Sequence, residues 1–176
     1  GHHKYVRTAG PQSKFGVDPA EIDRLVDAVA SAGAKVIGLH VHVGSGIRTP
    51  DIWSENALFL ASLRQHFPAL QFLNLGGGLG VPEQPGQQAL DVAALGELLA
   101  QVKRVHPDLK LWLEPGRYMV AQAGVLLARV TQTKQKGDIN YIGIETGMNS
   151  LIRPALYGAH HEIANLSRLD APATMT

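Results

Sequence analysis

Apolar and polar positions along the chain alternate between two periods, and the switches mark its elements. Residues 4–8 read as a strand, followed by a turn-rich stretch over residues 9–16. Asp18-Pro19 then opens a helix, with Asp as N-cap and Pro at the first helical position. Ile22, Leu25, Val26 and Val29 fall on one face at helical spacing, and Gly33 ends that helix. Residues 36–43 form an apolar strand that runs into Gly44-Ser45-Gly46. A second helix covers residues 50–66, carrying Leu58, Leu60 and Leu63. Residues 70–75 form a strand that ends in Gly76-Gly77-Gly78. Residues 84–88 are loop, residues 90–106 a third amphipathic helix, and residues 110–113 a strand ending in Glu114-Pro115-Gly116-Arg117.

Beyond that point the rhythm changes. Residues 125–134 alternate as one long strand, Lys136-Gly137-Asp138 is a turn, and residues 140–145 form another strand. Two strands joined by a short polar turn predict an antiparallel hairpin. The earlier β-α-β-α-β-α-β order predicts parallel strands flanked by helices. The second and third strands are nearly continuously apolar, as expected for strands buried on both faces. Four such strands with three helices make about half of a (β/α)8 TIM-type barrel, which takes about 250 residues when complete. The expected fold class is therefore α/β: residues 1–124 as the C-terminal half of a barrel, and residues 125–176 as an incomplete transition into a β domain. An open doubly wound sheet is the structural competitor. In both architectures ligands bind at the C-terminal ends of the strands.

Composition narrows the function classes. With 176 residues, 45% of them hydrophobic and 18% charged, the chain has the makeup of a globular domain and not of a disordered one. A net charge of +1 gives no global field to recruit nucleic acid or an anionic membrane surface. The absence of Cys removes any disulfide framework and suits a reducing compartment. No apolar run is long enough to span a bilayer, and the opening residues lack a secretory-signal pattern, so cytoplasm is the default expectation. Gly1-His2-His3 reads, alone, as either a tag remnant or a native His pair.

The candidate chemistry collects at the strand ends. Alternation places His40 and His42 of His40-Val41-His42-Val43-Gly44-Ser45-Gly46 on one face. That pair suits either metal ligation or hydrogen-bonded core positions, and no third ligand stands beside it in sequence. The Gly-Ser-Gly that follows offers backbone N–H groups and a hydroxyl to a phosphate oxygen. In Asn74-Leu75-Gly76-Gly77-Gly78-Leu79-Gly80 the glycines permit close backbone approach to an anion, or simply a tight turn. The segment matches neither nucleotide-loop fingerprint. Glu114-Pro115-Gly116-Arg117-Tyr118 adds a carboxylate and a guanidinium that can read phosphate bidentately. Arg153 and Tyr157, four apart after Met148-Asn149-Ser150, fit an ordinary turn with a packed Tyr as well as a ligand contact.

As a set, His-x-His-x-Gly-Ser, Gly-Gly-Gly-x-Gly, Glu-Pro-Gly-Arg and Gly-Met-Asn-x-Leu-Ile-Arg-Pro-x-Leu-Tyr resembles the diaminopimelate decarboxylase family. That family stands with the ornithine and arginine decarboxylases on an alanine-racemase-like barrel followed by a β domain. The opening Gly-His-His-x-x-Val-x-Thr and Ser-Lys-Phe-Gly are similar to the family too, which favours a native Gly1–His3. The resemblance runs to about Asp170. Ser150 stands where the family usually has Asp. The Gly-Met-Asn-Ser-Leu-Ile-Arg-Pro form, with His160-His161-Glu162-Ile163 after it, looks most like versions fused to an aspartate kinase.

The resemblance implies pyridoxal 5′-phosphate as cofactor and a homodimer acting on a small amino acid. It implies that His42 stacks on the cofactor ring and that Ser45, Gly77, Gly78, Gly116 and Arg117 cradle the phosphate. Glu114 would pair with the pyridine nitrogen. Arg117, Arg153 and Tyr157 would hold the substrate. Decarboxylation leaves electrons at Cα, which a protonated pyridine ring accepts, so His42 and Glu114 are the expected catalytic pair. Arg153 can clamp a carboxylate, which diaminopimelate carries at its distal end and ornithine lacks.

The family's Schiff-base lysine and its C-terminal Cys-Glu segment match nothing in this sequence. The chain is therefore expected to be a fragment, inactive alone, of a longer enzyme. Three rivals remain: a related decarboxylase of ornithine, lysine, arginine or carboxynorspermidine; a non-catalytic barrel binding the same cofactor; and a metal-dependent hydrolase using His40 and His42.

Overall fold

A computed structural model describes residues 13–171, in two compact units. The first comprises residues up to 81 together with 88–121, and the second comprises 82–87 together with residues from 122 onward. The strand expected at residues 4–8 lies outside the described residues.

The first unit opens as its capping signals dictate. Asp18 Oδ1 accepts from the Ala20 N–H at 2.9 Å, and Pro19 starts a single 3-10 turn that leads into α1 (Ile22–Ser31). Gly33 follows the helix with φ +63, a left-handed conformation that glycine adopts at no steric cost. Next come β1 (Gly38–His40), α2 (Asp51–Ser62), β2 (Phe72–Asn74), α3 (Val92–Val105), β3 (Lys110–Trp112) and α4 (Gly116–Val120). Asp91 caps α3 by accepting from the Ala94 N–H at 2.9 Å. The second predicted helix is α only to Ser62 and tightens to 3-10 over Leu63–His66.

β1, β2 and β3 are parallel neighbours in that order, with Leu39, Leu73 and Leu111 in register. Leu73 is fully buried, beneath a core that also takes Trp53, Ala57, Leu60 and Ala61 from α2, Leu95 and Val102 from α3, and Leu75 and Leu109 from the strand ends. Burying each of the large side chains contributes about 1.5–3 kcal/mol. The sheet's other face carries Gly38, His40, Phe72, Asn74, Lys110 and Trp112. A Cβ on Gly38 would strike the Phe72 ring, and Phe72 in turn stacks on Trp112 at 4.0 Å and 12°.

Two expectations are corrected here. The strands are three residues long, not the eight, six and four expected, because only Gly38–His40, Phe72–Asn74 and Lys110–Trp112 pair in mutual register. Nor is this sheet buried on both faces: Trp112 is 48% exposed, since three strands do not close around their inner face.

The second unit is built on an antiparallel hairpin of β4 (Val130–Lys136) and β5 (Ile139–Ile144). Gly137 supplies φ +59 at the first loop residue, as a II′ turn requires. The turn fixes the register, so β4 starts five residues later than the apolar alternation from Val125 suggests. A register irregularity falls between Val130 and Gln132. Most of the unit's apolar side chains are exposed, among them Val125, Leu127 and Ile163. A short helix α5 (Arg153–Tyr157) follows, with Pro154 in its first turn and Gly158 (φ +61) closing it. Among the described residues, no helix is long and apolar enough to cross a membrane.

Candidate cofactor site at the strand ends

The three strand-end turns of the first unit are locked to one another through backbone. The Val41 N–H donates to Asn74 O at 2.9 Å, Leu75 N–H to Trp112 O at 2.9 Å, and Glu114 N–H to Gly76 O at 2.9 Å. One step further out, Ile47 N–H donates to Gly78 O at 2.9 Å and Gly80 N–H to Ile47 O at 2.7 Å. This packing explains the glycines. A Cβ on Gly77 would collide with the Glu114 carbonyl oxygen, and one on Gly78 with the Gly44 carbonyl oxygen. Gly116 differs: space is open where its Cβ would lie, and its N–H is engaged by Glu114 O at 2.9 Å.

On this locked platform the predicted side chains converge in two groups. Arg117, in the first turn of α4, brings Nη2 to 3.4 Å from Ser45 Oγ, across 72 positions of sequence. His42 places Nδ1 3.4 Å from the Gly77 N–H, so its ring lies against the triglycine turn. In the second group Asn74 Nδ2 donates to Glu114 Oε1 at 2.8 Å, and Asn74 Oδ1 accepts the Gly76 N–H at 3.0 Å. His40 Nε2 stands 4.0 Å from the same Glu114 oxygen.

The donor chemistry fits a phosphorylated pyridine. A guanidinium and a hydroxyl side by side suit a phosphate dianion, which accepts charge-assisted hydrogen bonds. A held carboxylate suits a protonated ring nitrogen, and an imidazole ring suits a flat ring face. Among the described residues, no group of three His, Cys, Asp or Glu is placed to hold a metal ion.

Arg153 and Tyr157 lie in the second unit, on α5. There Arg153 Nη2 donates to Glu83 Oε1 at 2.8 Å, and its Nη1 lies 3.3 Å from His161 Nε2. His160 Nδ1 lies 2.8 Å from the Glu83 backbone oxygen. Glu83 and Asn74 received no role from the sequence. Asn74 carried a usable signal, since an Asn two residues before a turn glycine marks an Asx turn. Glu83 carried none, because its partner lies 70 positions away.

Comparison with known proteins identifies the family of the chain. The model of the pyridoxal-dependent decarboxylase family, pyridoxal binding domain, matches residues 1–121. Diaminopimelate decarboxylase of Escherichia coli (strain K12) is 33% identical over 174 residues, covering 95% of this chain and 41% of that enzyme. The crystal structure of diaminopimelate decarboxylase from Helicobacter pylori, complexed with L-lysine, superposes with a TM-score of 0.82 at 28% identity, over 98% of this chain and 43% of that one. SrLDC, crystallised with PLP and cadaverine, superposes at 0.72 with 30% identity, over 87% of this chain and 40% of that one. The chain thus spans about two fifths of the length of the proteins it matches, as part of a barrel. It belongs to the pyridoxal-dependent decarboxylase family and carries that family's pyridoxal binding domain.

Proposed function

We propose that the full-length protein removes one carboxylate of meso-diaminopimelate to give L-lysine, using pyridoxal 5′-phosphate. The observation that carries this reading is the convergence, on one set of interlocked strand ends, of the Ser45–Arg117 pair with the held carboxylate of Glu114.

The bound cofactor supplies a ring that accepts the electrons left at Cα when carbon dioxide departs. Ser45 and Arg117, with the turns of Gly77, Gly78 and Gly116, bind the phosphate and fix the ring's position. His42 would hold the ring face and restrain its tilt. Glu114, an anion beside the ring nitrogen, holds a proton there, because an opposite charge favours the protonated form of a base. Arg117, Arg153 and Tyr157 receive the substrate. Arg153 already binds a carboxylate oxygen, that of Glu83, through Nη2, the kind of charge-assisted contact that a distal substrate carboxylate would make.

The same reading takes residues 1–124 as barrel and 125–176 as the entry to a β domain. The exposed apolar side chains of the β4–β5 hairpin support it, since such a surface is ordinarily covered by further structure. A cytoplasmic homodimer belongs to this reading as well. Light scattering on the full-length protein tests the dimer. A second reading, decarboxylation of lysine or ornithine, draws support from the similarity to SrLDC with its cadaverine.

Two measurements test the proposal. The full-length protein should show an absorbance band from covalently held cofactor, abolished by borohydride. Its carbon dioxide release from meso-diaminopimelate should exceed that from lysine or ornithine, with Arg153→Ala erasing the preference. A correctly folded protein without the band would sink the cofactor reading, and equal turnover of the substrates would favour the second one.

A further inference from the structure

We infer that Asn74 is a positioning residue for Glu114: it locks the carboxylate by one oxygen, so that the other serves the ring nitrogen of bound pyridoxal phosphate. This rests on the reading of Glu114 given above and adds a second residue to it.

The argument starts from the orientation of the Asn74 amide. Its Oδ1 accepts the Gly76 N–H at 3.0 Å, the two-residue reach of an Asx turn. Reversing the amide would set its NH2 against that N–H, donor against donor, so the turn itself dictates which end points where. The NH2 is left facing β3, where Nδ2 donates to Glu114 Oε1 at 2.8 Å. The strand register makes this reach available. Asn74 pairs with Trp112, and Glu114 lies two residues further along the same pleat face. The backbone closes the unit again, with Glu114 N–H donating to Gly76 O at 2.9 Å. Asn74 and Glu114 are therefore tied at both main chain and side chain, through the same Gly76 turn.

Glu114 needs such a tie. Its side chain is 54% exposed in this chain and has several rotatable bonds, so unaided it would sample many rotamers. A carboxylate that must meet one ring nitrogen loses that freedom either on binding or beforehand, and the Asn74 bond removes it beforehand. His40 Nε2, 4.0 Å from Oε1, crowds the same oxygen and leaves Oε2 as the one we assign to the cofactor.

The discriminating variant is Asn74→Ser. A serine hydroxyl can still accept the Gly76 N–H in an equivalent turn but is too short to reach Glu114. Asn74→Thr is the second variant, keeping a hydroxyl acceptor for the turn while losing the amide donor. Both are made in the full-length protein loaded with pyridoxal phosphate carrying 15N in its ring, beside Glu114→Gln as reference. We expect each Asn74 variant to lower kcat about tenfold or more with KM changed little. The ring-nitrogen NMR signal should move from the protonated toward the unprotonated range, while Tm stays near wild type. In the Glu114→Gln background, Asn74→Ser should cost nothing further. If Glu114→Gln shifts the signal and the rate but neither Asn74 variant does, Asn74 merely holds the turn and the inference is overturned. If Glu114→Gln itself shifts neither, the reading of Glu114 fails instead.

Discussion

Arg153 and Glu83 form a charge-assisted pair at 2.8 Å, each side chain about one quarter exposed, tying α5 to the loop of residues 82–87. The loop contains no helix or strand, and His160 Nδ1 also lies against the Glu83 backbone oxygen. A partly buried pair of this kind contributes on the order of 1 kcal/mol. Glu83→Gln and Arg153→Gln should therefore each destabilise the full-length protein by about that amount. The double variant should be little worse than either, because both remove the same interaction. Thermal unfolding of the four proteins measures the coupling, and additive losses would mean that the pair is not coupled.

Ser45 and Arg117 meet 3.4 Å apart, each at the end of a different strand. A hydrogen bond to a charged group is worth about 1.5–3 kcal/mol. Arg117→Ala should accordingly raise the dissociation constant for pyridoxal phosphate by about tenfold or more, and Ser45→Ala by less. Titration of the apoprotein, followed by the cofactor's own absorbance, reads both. Unchanged affinity in Arg117→Ala would remove that residue from the phosphate cradle.

The cradle glycines separate by what surrounds them. Gly77→Ala and Gly78→Ala would each drive a methyl into a carbonyl oxygen of a neighbouring turn, and Gly78 also holds φ +88. Overpacking of this kind costs about 1–3 kcal/mol, and the turns that carry Ser45 and Glu114 must shift to relieve it. Both variants should lose stability and cofactor affinity together. Gly116→Ala meets open space in a helix, so its stability should be unchanged or slightly raised. Calorimetry of the three variants checks the order, and a destabilised Gly116→Ala would contradict it.

Arg64 and Asp108 form a two-pronged pair between the 3-10 turn after α2 and the entry to β3. The hydrogen bond from Arg64 lowers the Asp108 pKa, and the same bond raises that of Arg64. A lowered carboxyl pKa stabilises the fold at pH values above the unfolded aspartate value of about 3.9, and the contribution fades as pH falls through the folded value. Asp108→Asn should therefore be less stable than wild type at neutral pH, with the difference closing in acid. The pair is exposed, so the gap should be small and should shrink in high salt. Denaturant titrations at neutral pH and near pH 3 measure it, and a gap that widens in acid would refute the assignment.

How legible the sequence was follows the range of the forces involved. Local signals read well: the Asp18 cap, Gly33 at the end of α1, the parallel βαβ rhythm and the Gly137 hairpin all depend on residues a few positions apart. The short strand lengths were not readable, because an apolar run such as residues 36–43 does not show which of its residues pair with a neighbouring strand, and only Gly38–His40 do. The helices α4 and α5 escaped for the opposite reason, each being five residues long and too short to show a period.

The sequence by itself determined the residue types at the strand ends: a Ser, an Arg, a Glu and a His beside glycines. Only the tertiary structure decided their partners. Ser45 meets Arg117, Asn74 turns its amide on Glu114, and Arg153 takes Glu83, over separations of 72, 40 and 70 residues. Side-chain hydrogen bonds are set by distance and direction in space. Those become fixed only when parallel strands, in a register chosen by the burial of Leu39, Leu73 and Leu111 on one face, bring their ends together.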